Sequence, residues 1–310
     1  MSAGRAARLA PALSSALERA LEGVLGGAVR LAGAEALGGG CVNPSARLTT
    51  ERGERFFVKW NPRAPADLFA VEADGLRALR TAAGAALRVP EVLAVGRGGG
   101  GSPPWLLLEY IEPGRAGPAY ASALGAGLAS LHRAPASGGW GWERDNFIGP
   151  LPQANAAAPT WGEFWRDRRL APQLKRARAA GRFRGADAGV LDRAVDSTPE
   201  LLAGVDEPAS LLHGDLWGGN VLADGEGRPA LIDPAAYRGH REVDLAMSEL
   251  FGGFPPGWPR AYSDSWPLDE GYARGRRALY QLYYLLVHVN LFGAGYESGS
   301  LAAARAALYA

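Results

Sequence analysis

The densest chemistry in the chain lies in His213-Gly214-Asp215-Leu216-Trp217-Gly218-Gly219-Asn220 and in Asp233-Pro234-Ala235 downstream. Asp215 and Asn220 stand five residues apart, and Asp233 follows thirteen residues after Asn220. Between them, Val221-Leu222-Ala223 and Ala230-Leu231-Ile232 flank the turn Asp224-Gly225-Glu226-Gly227. That pattern predicts a β-hairpin, which returns the second carboxylate to the loop carrying the first. Two carboxylates and a carboxamide then converge, and Mg²⁺ takes such oxygen ligands together with water and substrate phosphates. Phosphoryl transfer needs this set: an Asp that orients the attacking hydroxyl and accepts its proton, and an Asn and an Asp that hold metal against the phosphates. The spacing makes Asp215, Asn220 and Asp233 the candidates for the base and the Mg²⁺ ligands.

Other parts fall into order upstream. Gly38-Gly39-Gly40-Cys41-Val42-Asn43-Pro44-Ser45 lies between two candidate strands, where a backbone without Cβ atoms can approach phosphates closely. Lys59 sits mid-strand between Val58 and Trp60, with Phe57 assigned to the other face, and Glu72 on the following helix is its candidate partner. A glycine run alone is a weak signal, and a lone strand lysine usually faces solvent. The succession of glycine loop, strand Lys, helix Glu, Asp–Asn loop and second Asp is that of a kinase, with His-Gly-Asp in place of His-Arg-Asp and Asp-Pro-Ala in place of Asp-Phe-Gly.

The elements that must carry these residues read as two lobes. Strands are expected at 29–31, 45–49, 55–60, 89–95 and 105–111, with a helix over 66–83. Gly98 to Pro104 reads as a flexible connector. After Glu112-Pro113-Gly114 the pattern turns helical: 120–133, a start at Thr160 marked by the capping box Thr160-Trp161-Gly162-Glu163, then 191–202 and 279–291. One short hairpin interrupts the helices. The expected fold is α+β and bilobal, protein-kinase-like, with a small β-sheet lobe with one helix (1–110) and a larger, mainly helical lobe (111–310).

Further motifs extend the pattern: Phe56-Phe57-Val58-Lys59, Glu72-Ala73-Asp74-Gly75-Leu76, Asp145-Asn146-Phe147-Ile148-Gly149 with Gln153 and Asn155, Arg169-Leu170 with Gln173, and Tyr237 to Ala246. On these, from about Leu13 to Leu291, the chain resembles the fructosamine/ketosamine 3-kinase family, relatives of the aminoglycoside and choline phosphotransferases. The resemblance implies ATP-dependent phosphorylation of a ketosamine, the sugar adduct of an amine, at its third-carbon hydroxyl. The product falls apart and frees the amine, so the implied role is deglycation repair on small-molecule ketosamines or glycated proteins. It implies Lys59 as phosphate clamp with Glu72 as partner, Gly38, Gly39 and Gly40 over the phosphates, and Glu109, Tyr110 and Ile111 as the adenine-binding hinge. The short span from Asp233 to Arg241 leaves no long activation segment, and no Ala-Pro-Glu motif presents a peptide. Trp217, Arg241, Asp244 and His288 are substrate candidates, Trp217 by stacking on a sugar face; each also reads as packing or bridging. An aminoglycoside- or choline-type phosphotransferase and a non-catalytic nucleotide-binding scaffold are the rival readings.

Composition sets the outer bounds. Lys plus Arg number 33 against 32 Asp plus Glu, a balance that argues against nucleic-acid binding through bulk positive charge. No stretch is long and apolar enough to suggest a membrane span. The amphipathic run Leu9, Leu13, Leu17, Leu21, Val24 carries acidic residues, unlike a transit peptide, so the cytoplasm is the default compartment, with organelle targeting left open. Cys41 is the single cysteine and lies within the glycine loop, which makes it a candidate redox position. Any disulfide must join two molecules or a small thiol, so both a monomer and a thiol-linked homodimer are compatible with the sequence.

Overall fold

The computed structural model describes residues 6–38, 43–185 and 188–310. Helix α1 (Pro11–Leu25) opens on a proline at its first turn and stops at Gly26, whose φ of 75° suits a left-handed cap. Its buried face is Leu13, Leu17 and Leu21, while Val24 is exposed. The leucines cover one face of an antiparallel sheet of β1 (Leu31–Ala36), β2 (Ser45–Thr50), β3 (Arg55–Trp60), β4 (Val92–Gly99) and β5 (Ser102–Glu109). The strands are ordered β1-β2-β3-β5-β4.

Alternation along β3 divides its side chains between two cores. Phe56 and Val58 pack with α1, while Phe57 and Lys59 both turn to the other face, beneath helix α2 (Leu68–Ala83). The expectation that Phe57 and Lys59 lie on opposite faces is therefore corrected: residues two apart in a strand point the same way. The expected connector over Gly98 to Pro104 is mostly ladder, because Gly99 pairs with Ser102 and only Gly100 and Gly101 form the turn.

Beyond residue 110 come α3 (Tyr120–Arg133) and the hairpin β6 (Asn146–Ile148) and β7 (Leu151–Gln153). Then α4 (Trp161–Phe164), with its capping box formed at Thr160 and Glu163, continues through a π-helical stretch, Trp165–Leu170, into α5 (Ala171–Ala179). The helix expected over 191–202 is two, α6 (Ala188–Asp196) and α7 (Thr198–Leu201), with Pro199 opening the second. Strand β8 (Ser210–Leu212) leads into the Asp215 loop, β9 (Val221–Ala223) and β10 (Pro229–Leu231) form the expected hairpin, and β11 (Tyr237–Gly239) pairs back to β8. Helices α8 (Glu242–Leu250), α9 (Trp258–Ser265), α10 (Arg277–Phe292) and α11 (Glu297–Leu308) complete the lobe. The β6–β7 and β8–β11 pairs were not expected, since strands of three residues are too short to show a period. No helix among the described residues is long and apolar enough to cross a membrane.

Candidate active site

The Asp215 loop is held from below. Gly214 has φ of 78°, and a Cβ there would come within 2.2 Å of the Ala235 carbonyl oxygen, so only glycine fits. The backbone N–H groups of His213 and Gly214 donate to the two carboxylate oxygens of Asp244, at 2.7 and 2.8 Å. His132 Nε2 lies 3.2 Å from the same carboxylate. His213 Nε2 donates to the Ile232 carbonyl at 2.8 Å, leaving Nδ1 to accept from the Asp215 N–H at 3.3 Å. Burial pushes the His213 pKa below its ordinary value, which favours the neutral ring these bonds require.

Asn220 brings the three groups together. Its Nδ2 donates to the Asp215 carbonyl at 2.9 Å, to Asp215 Oδ2 at 3.2 Å and to the Asp233 carbonyl at 3.3 Å. Asp233 adopts φ of 53°, a left-handed conformation a non-glycine residue holds only when its surroundings impose it. Its Oδ1 accepts from Lys59 Nζ at 3.0 Å, and Lys59 also pairs with the Glu72 carboxylate. Burial lowers the Lys59 pKa, but the charges of Asp233 and Glu72 outweigh it and the net shift is upward. Burial pushes the Glu72 carboxyl up, opposed by Lys59. Asp215 is pushed up to about 7 by burial, with Asp233 acting in the same sense and the Asn220 hydrogen bond against it. Asn220 Oδ1 and Asp233 Oδ2 accept no hydrogen bond from any described residue. Two free, hard oxygen donors beside the buried lysine fit a magnesium ion.

These groups lie in a cleft of about 730 Å³ whose lining includes Gly38, Phe57, Lys59, Glu72, Glu109, Tyr110, Ile111, Asp215, Trp217, Asn220, Asp233 and His288. Gly39, Gly40 and Cys41 lie outside the described residues, and with them the redox reading of Cys41. Two of the expected substrate residues are corrected. Both oxygens of the fully buried Asp244 already accept backbone N–H groups beneath the loop. Arg241 is equally buried, paired with Glu207 at 2.8 and 2.9 Å, bonded to the Trp266 and Pro267 carbonyls and stacked 4.1 Å above the Trp266 ring. Neither lines the cleft.

The motifs around Asn146, Gln153, Asn155 and Arg169 form a buried relay behind the Asp233 segment. Asn146 Nδ2 donates to the Ala236 carbonyl at 2.8 Å, and its Oδ1 accepts from Gln153 and Asn155, each at 2.8 Å. Arg169 donates to Asn155 Oδ1 at 2.7 Å while its guanidinium lies 4.0 Å from the Tyr237 ring centre. Tyr283 donates to Gln153 Oε1 at 2.6 Å, and Tyr284 to the Gly214 carbonyl at 2.8 Å. The amides stand out in the sequence, but their target, the backbone after Asp233, is some eighty to ninety residues away and leaves no local signal. Sequence reasoning also missed Phe251, Phe292 and Tyr296, which line the cleft, and Arg88, which bonds Glu109 Oε1 at 2.5 Å.

A sheet lobe and a helical lobe, with a buried lysine reaching across the gap to the aspartate after a hairpin, are the layout of a protein-kinase-like phosphotransferase. Residues 13–308 match the fructosamine kinase family, and the chain belongs to that family. It is 40% identical over 263 residues to a protein designated a ketoamine kinase from Synechocystis, covering 84% of this chain and 85% of the relative. A chloroplastic protein-ribulosamine 3-kinase from Oryza sativa subsp. indica is 38% identical over 281 residues, covering 89% of this chain and 79% of the relative. Among solved structures, one designated a fructosamine-3-kinase from Thermobifida fusca superposes with TM-score 0.81 at 36% identity, covering 95% of this chain and 99% of its own. An aminoglycoside phosphotransferase at 19% identity and TM-score 0.62, covering 94% of this chain and 100% of its own, shares the fold alone.

Proposed function

We propose that the protein is an ATP-dependent ketosamine 3-kinase, transferring phosphate to the third-carbon hydroxyl of fructosamine- or ribulosamine-type adducts on amines or proteins. The observation that carries this reading is the meeting of Asp215, Asn220, Asp233 and Lys59 in one cleft, in a chain of the fructosamine kinase family. Residues 1–110 form the nucleotide-binding lobe, with Gly38 near the phosphates and Glu109 to Ile111 taking adenine through backbone groups. Residues 111–310 carry the base and the acceptor site. Lys59, fixed by Glu72, holds the nucleotide phosphates.

Asp215 orients the acceptor hydroxyl and takes its proton as the oxygen bonds to the γ-phosphorus and the bond to the β-phosphate oxygen breaks, releasing ADP. Asn220 Oδ1 and Asp233 Oδ2 would hold Mg²⁺, which when bound neutralises phosphate charge. Loss of a proton from the amine-bearing first carbon gives the enol that expels the third-carbon phosphate as inorganic phosphate, and water then hydrolyses the resulting imine to the free amine and a deoxyosone; that is a deglycation step, placed by default in the cytoplasm. Trp217 and His288, both part of the cleft lining, would face the acceptor.

ATP consumption against synthetic ketosamines, aminoglycosides and choline tests the reading. Turnover with ketosamines is expected. Turnover confined to an aminoglycoside or choline, or undiminished turnover in Asp215→Ala, would overturn it.

A further inference from the structure

Among the described residues the buried lysine and arginine side chains are Lys59, Arg169 and Arg241. Lys59 pairs with Glu72 and Asp233, and Arg241 with Glu207. Arg169 is fully buried and has no carboxylate partner among them. Its guanidinium donates to the Ala154 carbonyl at 2.5 Å, the Arg168 carbonyl at 3.1 Å and Asn155 Oδ1 at 2.7 Å. The Phe164 and Tyr237 rings flank it, with centres 4.7 and 4.0 Å away. An apolar side chain of similar size would avoid the cost of burying that charge, so the charge itself calls for a role.

The hydrogen bonds that leave Arg169 all run in one direction. A guanidinium only donates, so Asn155 must turn Oδ1 to it, and Asn155 Nδ2 is left to donate to Asn146 Oδ1 at 2.8 Å. Asn146 then has only Nδ2 to offer the Ala236 carbonyl, at 2.8 Å. Gln153 follows, its Nε2 shared between Asn146 Oδ1 at 2.8 Å and the Ala235 carbonyl at 3.3 Å. The Tyr283 hydroxyl on Gln153 can donate or accept and imposes no direction. With the row reversed, Asn155 Nδ2 would face the guanidinium and Asn146 Oδ1 the Ala236 carbonyl, two buried repulsions. Ala235 and Ala236 come two and three residues after Asp233, and the Ala235 N–H donates to the His213 carbonyl at 2.9 Å. The segment is thus held from both sides where Asp233 takes its left-handed φ of 53°.

Resting on the reading of Asp233 as a metal ligand, we propose that Arg169 is a positioning residue for Asp233. As the donor-only end of the amide row it fixes the carbonyls of Ala235 and Ala236, and with them the strained backbone that leaves Asp233 Oδ2 unbonded while Oδ1 takes Lys59. Groups behind a metal ligand commonly set how well that ligand binds. What the buried charge contributes is therefore the direction of the row, which a residue able to accept a hydrogen bond would not enforce.

The test is calorimetric titration with ADP alone and with ADP plus saturating Mn²⁺, in the parent and in variants; the ratio of the two Kd values reads the metal contact. Arg169→Met is expected to lower the gain from Mn²⁺ about tenfold while Kd for ADP alone stays within about twofold, since Lys59 and the hinge are untouched. Arg169→Gln, whose amide can face either way, should lose as much. Arg169→Lys can only donate, so it should keep the gain within about threefold of the parent, even though losing the flat stack lowers its melting temperature. Asn155→Ala breaks the row outside the cleft lining and should reproduce the Arg169→Met result; with Arg169→Lys it carries the test if Arg169→Met does not fold. Three results overturn the proposal and leave the metal reading of Asp233 standing: a gain unchanged in Arg169→Met and Asn155→Ala, Arg169→Lys as defective as Arg169→Met, or ADP weakened equally with and without metal. No gain from Mn²⁺ in the parent overturns both.

Discussion

Asp215 meets two opposed demands. As the proposed base it must be ionised, yet burial and the nearby Asp233 push its pKa up to about 7. A carboxyl whose folded pKa exceeds its unfolded one favours protonation in the folded state. The stability it contributes is present at low pH and lost as pH rises from about 4 towards 7. Asp215→Asn is therefore expected to lower kcat by about 10²–10⁴-fold. In metal-free buffer at pH 8 the same variant should be more stable than the parent by about 1–3 kcal/mol, with the difference vanishing near pH 4. Denaturant unfolding at the two pH values checks this; equal stability gains at both would remove burial as the cause. Spacing alone located the convergence of Asp215, Asn220 and Asp233, because a short loop and hairpin fix it locally. That the sequence left Asp244 and Arg241 open between substrate contact and bridging has the converse cause. A carboxylate in a cleft and one beneath a loop look identical in sequence, and what separates them is donors some thirty residues away.

Helix α2 must sit close to the Asp233 segment to deliver Glu72 to Lys59. Gly75 makes this possible: a Cβ there would stand 2.9 Å from the Ala236 Cβ. Gly75→Ala should push the helix away and lower kcat/KM for ATP about tenfold or more, since small displacements of a positioning group are costly. Gly23→Ala in α1, where a Cβ meets nothing within 4 Å, should instead gain about 0.5–1 kcal/mol in a melting experiment. A second element is latched by charge. Glu207, ahead of β8, is raised by burial, but hydrogen bonds from His240 and Arg241 outweigh this and hold it at about 2. Its stabilisation is fully present above its unfolded pKa, near 4.5, and is lost as pH falls towards 2. Glu207→Gln should cost about 1–2 kcal/mol at pH 7 and little at pH 2, measured by denaturant unfolding. Helices α2, α3 and α10 and the start at Thr160 were legible because period and capping box are local. The three-residue strands were not, because pairing such as β8 with β11 is a tertiary fact.

Across the whole molecule, sequence periodicity separates two lobes, but the packing does not separate them cleanly. The α1 leucines and the outer sheet face form one core, whereas Leu76, Leu79, Leu106 and Leu108 of the small lobe share a core with Leu124, Leu212 and Tyr237 of the large one. Arg88 adds a polar join that no local pattern announces. Its backbone N–H donates to the Pro229 carbonyl at 2.9 Å and its carbonyl accepts from Leu231 at 2.8 Å. Its guanidinium bonds Glu109 at the end of β5, at 2.5 Å, and the buried Asp224 in the hairpin turn, at 3.0 Å. The hairpin between Asn220 and Asp233 is thereby tied to the segment that would take adenine. Arg88→Ala leaves Asp224 with Arg228 as its remaining side-chain partner and should cost about 1–3 kcal/mol. It should also raise KM for ATP several-fold while KM for a ketosamine stays within about twofold, because the bonds of its guanidinium go to Glu109 and Asp224 and not to the Asp215 loop. Arg88→Lys should not restore the parent value, since one ammonium does not reproduce a planar fork bridging two carboxylates. Steady-state kinetics with each substrate varied in turn decide it, and parallel rises in both KM values would mean that the join merely supports the fold.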